Sequence, residues 1–194
     1  MSESRKRGGR PRAEGLDAVI LAAAVEVMGE TGYRGMTLDE VARRAGTTKP
    51  SIYLRYAGKE ELAVAALERL RLRGGPAASA GSLHADLVAE LERFRVAVLR
   101  PQAMAMIGTV LAEEAETPAL LARLRSGVVL PRRHLFREVL ERGRACGELA
   151  DGVDPELVAS LLVGAVYAHY LAGAPFTPGW SERVVDLVVG GAGV

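Results

Sequence analysis

The chain has 194 residues, enough for one or two domains with a substantial core; 49% are apolar but only 5% aromatic. Ala, Leu, Val and Arg dominate, which favours helices over a sheet of β-branched and aromatic residues, so the expected fold class is all-α. A single cysteine, Cys146, excludes an internal disulfide, no apolar leader suggests secretion, and the default compartment is the cytoplasm.

Charge is small in sum, +1, but uneven, because residues 1–75 carry 14 Lys/Arg against 10 Asp/Glu and the remainder is acidic. Within the first residues Arg5, Lys6, Arg7, Arg10 and Arg12 face one acid, Glu3, and the glycines and Pro11 oppose regular structure. Residues 1–13 therefore read as a flexible basic arm. Its "GRPR" would carry Arg10 and Arg12 along a minor groove, or else the arm is a solvated tail.

The first helix follows, with Leu16, Val19, Ile20, Ala23, Ala24, Val27 and Met28 on one stripe and a stop at Gly29, Gly32 and Gly35. In "TLDEVARRAG" Thr37 and Glu40 have capping-box spacing, so a second helix begins at Leu38 and ends at Gly46, which supplies a left-handed turn. Thr47 or Thr48 then caps a third helix, and Pro50 falls in its first turn, where the missing N–H is harmless. Two short helices joined by a glycine turn, with Ala42 before it and Ile52 after it, make a helix-turn-helix. Ile52 and Tyr56 point to the core, which leaves Lys49, Pro50, Ser51, Tyr53, Leu54 and Arg55 around the outer faces.

The run "GYRGMTLDEVARRAGTTKPSIYLRYAGKEEL" resembles the DNA-binding domain of tetracycline-repressor-type (TetR-type) regulators, over about residues 14–73, with the helix-turn-helix at about 37–56. The match is carried by Gly46, Thr48, Lys49, Ser51, Ile52, Tyr53, Tyr56, Lys59, Glu60, Glu61 and Leu62. The resemblance implies that Thr37, Thr48, Tyr53 and Lys59 bind phosphates, with Lys49, Pro50, Ser51 and the next turn facing base edges; Thr47 joins the candidate contacts beside them. Leu54, Arg55 and Pro50 depart from the usual family pattern, so an operator sequence does not transfer. Arg55 is expected to bind a guanine, and Leu54 or Pro50 to touch a thymine methyl.

After a Gly- and Pro-rich break, residues 82–190 read as a helical ligand-binding and dimerisation domain. Helices are expected at Leu83–Leu99, with Leu87, Leu91, Phe94 and Val98 inward, and at Gln102–Glu114. The others are Ala119–Gly147, bent near Pro131, Pro155–Ala172 and Ser181–Val189. Leu157 to Trp180 lacks Asp, Glu, Lys and Arg, but acidic flanks, His169, Gly173, Pro175 and Pro178 argue against a membrane span and for a helix buried partly by a partner. The family resemblance places a homodimer interface at about 155–172 and 180–189.

His84, His134 and His169 are scattered, Cys146 has no partner at metal spacing, and no phosphate loop or nucleophile elbow occurs, so neither an enzyme, a metal nor a cofactor is expected. Met104 and Met106, with Phe94, Phe136 and Tyr167, are candidates to line an apolar effector cavity, or else they fill core gaps. The preferred reading is a sequence-specific DNA-binding regulator, a homodimeric repressor released from a pseudo-palindromic operator by a small apolar molecule. The alternative is a constitutive DNA-binding or architectural protein whose C-terminal domain only dimerises.

Overall fold

The structure, a computed structural model, describes residues 11–70, 81–100 and 102–190; side chains are described from Gly15 onward, except Leu70. All regular structure among them is helical. The elements are α1 (Pro11–Gly35), α2 (Leu38–Arg44), α3 (Lys49–Tyr53), α4 (Lys59–Leu67), α5 (Leu83–Val98), α6 (Ala103–Ala112), α7 (Pro118–Leu124), α8 (Leu130–Ala145), α9 (Pro155–Leu171) and α10 (Trp180–Gly190). No described helix is long and apolar enough to cross a membrane.

They form two compact units, one of α1–α4 with α6 and α7, the other of α5 with α8–α10. The sequence pattern placed α6 and α7 with the C-terminal helices. In the structure α6 packs along α1, and α7 along α4, so these apolar helices complete the core of the first unit.

In the first unit α1 buries Ile20, Ala23, Ala24, Val27 and Met28, while Val19, expected on that stripe, is 48% exposed. The helix begins at Pro11, whose fixed φ suits a first turn, and its helical geometry breaks at Gly32 (φ 72°). The arm expected through residue 13 therefore meets the helix three residues earlier, and Arg10 and the Arg12 side chain lie outside the described residues.

Thr37 caps α2 by accepting from the Glu40 amide at 3.2 Å. The reciprocal half of the expected capping box is absent from the described bonds, because the Glu40 carboxylate turns to Arg43 and Arg44 instead. The helix ends in a Schellman turn: the Thr47 amide donates to the Ala42 carbonyl (2.9 Å) and the Gly46 amide to that of Arg43 (3.3 Å), with Gly46 at φ 60°. Nothing lies within 4 Å of a Cβ built on Gly46, so backbone strain alone opposes a side chain there. Gly46→Ala should lower stability by about 1–2 kcal/mol in urea unfolding without changing the m-value.

In the second unit α5 presents Leu83, Leu87, Leu91, Phe94 and Val98 to a core completed by Phe136, Val139 and Leu140 of α8 and by Val158, Ala159, Leu162 and Val166 of α9. Asp154 caps α9 by accepting from the Glu156 amide, with Pro155 in the first turn. The helix expected from Ala119 to Gly147 is interrupted by a π turn at Arg125–Val129 just before Pro131. A proline has no N–H for the carbonyl four residues back, and its ring crowds that carbonyl, so the backbone widens ahead of it.

Candidate nucleic-acid interface

Between the Schellman turn and α4 the chain sorts its side chains cleanly. Ile52 is fully buried and Tyr56 only 9% exposed, whereas Tyr53 is 52% and Leu54 84% exposed. Two large side chains are thus held in water by a helix whose opposite face is locked into the core. That arrangement is costly for a monomer in isolation and apt for a groove.

The candidate hydroxyls are in place. Thr48, not Thr47, is the cap of α3: its Oγ1 accepts from the Ser51 amide (3.4 Å) and lies 2.9 Å from Ser51 Oγ. Thr47 is half-buried, with its amide closing the preceding turn. Thr37 and Thr48 are exposed, and a hydroxyl that accepts an amide proton retains its own for a phosphate oxygen. Pro50 is exposed beside them, on the first turn of α3.

The cations behave differently from what spacing alone suggests. Lys49 Nζ lies 2.8 Å from Asp39 Oδ2, and this pairing holds the ammonium pKa above its usual value. Lys59, expected at a phosphate, donates in this structure to the Arg34 carbonyl (3.0 Å) and lies 4.6 Å over the Tyr33 ring, with burial pulling its pKa down. Arg55, expected at a guanine, is 2.7 Å from Asp17 Oδ1 through Nε and donates through Nη1 to the Ser51 carbonyl (2.9 Å). These contacts engage Nε and one N–H of Nη1, so a base contact would fall to the remaining N–H groups. Arg44 ties α2 to α1 through Glu30 (2.5 Å) and also reaches Glu40, whose carboxyl is held down to about 2 by hydrogen bonds from Arg43 and Arg44.

The Asp17–Arg55 pair fastens the turn after α3 to α1, a positioning role that sequence spacing concealed because Asp17 lies 38 places away. Arg55→Ala and Asp17→Ala should each destabilise by about 0.5–1 kcal/mol and, being partners, should not add in the double variant. Both should weaken operator variants of every sequence alike. A loss confined to one base position for Arg55→Ala would instead place its guanidinium in the groove.

Of the five candidate effector residues the structure brings three together. In the second unit Phe94 meets Phe136 and Tyr167 edge to face, with ring centres 6.3 and 5.6 Å away. Met104, half-buried, and Met106, fully buried, belong to α6 in the first unit.

A capped α2, a glycine turn and a short α3 with an outward polar and apolar face define a helix-turn-helix DNA-binding protein. Residues 20–66 match the family described as bacterial regulatory proteins, tetR family, and residues 77–188 match the tetracyclin repressor-like C-terminal domain. The chain belongs to the TetR family and is a DNA-binding transcriptional regulator.

Among its relatives, the DNA-binding transcriptional repressor TetR of Mycobacteroides abscessus is 29% identical, over 92% of this chain and 94% of that protein. The HTH-type transcriptional regulator YdeS of Bacillus subtilis is 28% identical, over 86% and 84%. The solved TetR family transcription regulator SCO0332 is 25% identical with a TM-score of 0.63, covering 91% of this chain and 97% of that one. The regulator FadR of Bacillus subtilis, solved with stearoyl-CoA, shares the fold with a TM-score of 0.70 at 18% identity, covering 90% and 98%.

Proposed function

We propose that the protein is a homodimeric repressor that binds a pseudo-palindromic operator and is released by a small molecule held in its C-terminal helices. The observation that carries the DNA reading is the outward display of Thr37, Thr48, Pro50, Tyr53 and Leu54 on a helix-turn-helix whose inner face is buried. Thr37, Thr48 and Tyr53 position the head on phosphates, while Lys49, Pro50, Ser51 and Leu54 meet base edges. Repression is supported by the likeness to the Mycobacteroides abscessus repressor.

Two further observations support assembly and sensing. Leu157, Leu161, Gly164, Ala168 and Leu171 follow helical spacing on α9 and are all exposed, a stripe of apolar and small residues that a second copy would cover. The aromatic cluster at Phe94 gives a small molecule an apolar wall, and the fold is one in which FadR of Bacillus subtilis was solved with stearoyl-CoA.

Selection from random DNA, followed by footprinting, tests this reading. A protected pseudo-palindrome with half-site centres about 34–36 Å apart, or somewhat more if the site is widened, is expected. Enrichment of single, asymmetric sites would overturn it.

A further inference from the structure

Arg132 on α8 is 6% exposed, and its guanidinium lies 5.0 Å over the Phe94 ring. Its nearest described carboxylate, Glu90 on α5, is 3.6 Å from Nη1, beyond a good hydrogen bond, and Nη1 is sealed from solvent without a hydrogen-bond partner among the described residues. A buried guanidinium normally has its donors matched, because water has been taken from them. Glu90 already holds Arg93 at 2.8 Å. Burial pulls the Arg132 pKa down to about 10, Glu90 partly offsets this, and Arg93 and Arg100 add to the drop. The site therefore holds a positive charge against its own surroundings, beside the Phe94, Phe136 and Tyr167 rings.

We propose that Arg132 anchors the carboxylate of an amphipathic effector whose apolar part lies against Phe94, Phe136 and Tyr167. This rests on the effector reading above and gives it a ligand class. A planar carboxylate matches the in-plane N–H groups of a guanidinium that has one face on a ring. A single negative charge fits better than a phosphate dianion, because the Glu90 carboxylate stands beside the site. The apolar rings exclude water from the pair, which strengthens it once formed.

Two matched pairs of probes test this on the full chain by isothermal titration calorimetry: decanoate against decan-1-ol, and 4-phenylbutyrate against 4-phenylbutan-1-ol. In at least one pair the carboxylate should bind about tenfold or more tightly than its alcohol. Arg132→Gln should abolish that preference, and Arg132→Lys, which keeps the charge but loses the fork, should retain part of it. Alcohols that match their carboxylates in both pairs, carboxylates that fail to bind, or a preference that survives Arg132→Gln would each overturn the proposal.

A second readout needs no ligand. If Arg132 serves an effector carboxylate rather than the fold, Arg132→Met should leave the melting temperature unchanged or raise it by about 2–4 °C, since Arg93 still pairs Glu90. A fall of more than about 4 °C would assign the guanidinium to structure and sink the idea. Operator release separates the two readings: carboxylate binding through Arg132 with unaltered operator affinity would leave the anchor standing and remove the effector role. Equal release by alcohols and carboxylates would do the reverse.

Discussion

Leu161→Arg on α9 is expected to convert the proposed dimer into folded monomers and to lower affinity for a full pseudo-palindrome by about 10²–10⁴, while binding to an isolated half-site changes little. The stripe that carries Leu161 is not explained by the fold of one chain. Leu157, Leu161 and Leu171 are 57%, 52% and 76% exposed, and Gly164 and Ala168 lie between them where a second backbone can approach closely. On α10 Leu187 is 78% exposed. An interface between identical copies is self-complementary, so a single substitution places two guanidiniums in one apolar contact, and neither finds a partner. Sedimentation equilibrium and gel-shift titration on full and half operators measure the two effects. A variant that remains dimeric with unchanged operator affinity would move the interface off α9.

Local signals were legible in the sequence because each is decided within one turn of chain. Thr37 before α2, Gly46 after it and the buried pair Ile52 and Tyr56 all follow from short spacings, and so does the inward stripe of α5. Long-range choices were not. The ten residues of α6 are apolar enough to pack on anything, and nothing local says that they pack on α1. The partners of charged side chains were hidden in the same way: Lys49, Arg55 and Lys59 read as outward cations, and each has an intramolecular partner on another element that spacing does not reveal. Arg132 and Glu90 are buried facing each other across α8 and α5, a pairing that no spacing within either helix marks. Of the recognition face, the exposed hydroxyls and Leu54 were readable, whereas the Asp17 and Asp39 carboxylates that hold its cations were not.

On the proposed reading, those intramolecular pairs would shift the electrostatic work of DNA binding toward the N-terminal residues. Lys49 and Arg55 each begin with a carboxylate partner and Lys59 with a carbonyl, so in the proposed complex the phosphate contacts of the head would fall mainly to neutral hydroxyls, which displace few counterions. Residues 2–10 contain Arg5, Lys6, Arg7 and Arg10 with one acid, Glu3. If all four cations of both copies neutralise phosphates, removing residues 2–10 should reduce the slope of log affinity against log salt by up to about 7. Operator affinity near 0.15 M salt should fall in the same experiment by about 10²–10⁴, because the loss applies to specific and random DNA alike. Asp39→Asn should act the other way, freeing Lys49 and steepening the slope by about 1 for each copy that reaches a phosphate. Titrations at four salt concentrations on operator and random duplexes read both outcomes. A truncated protein with an unchanged slope would make the arm a solvated tail and return the electrostatic contribution to Lys49 and its neighbours, which must then exchange their carboxylate partners for phosphates on binding.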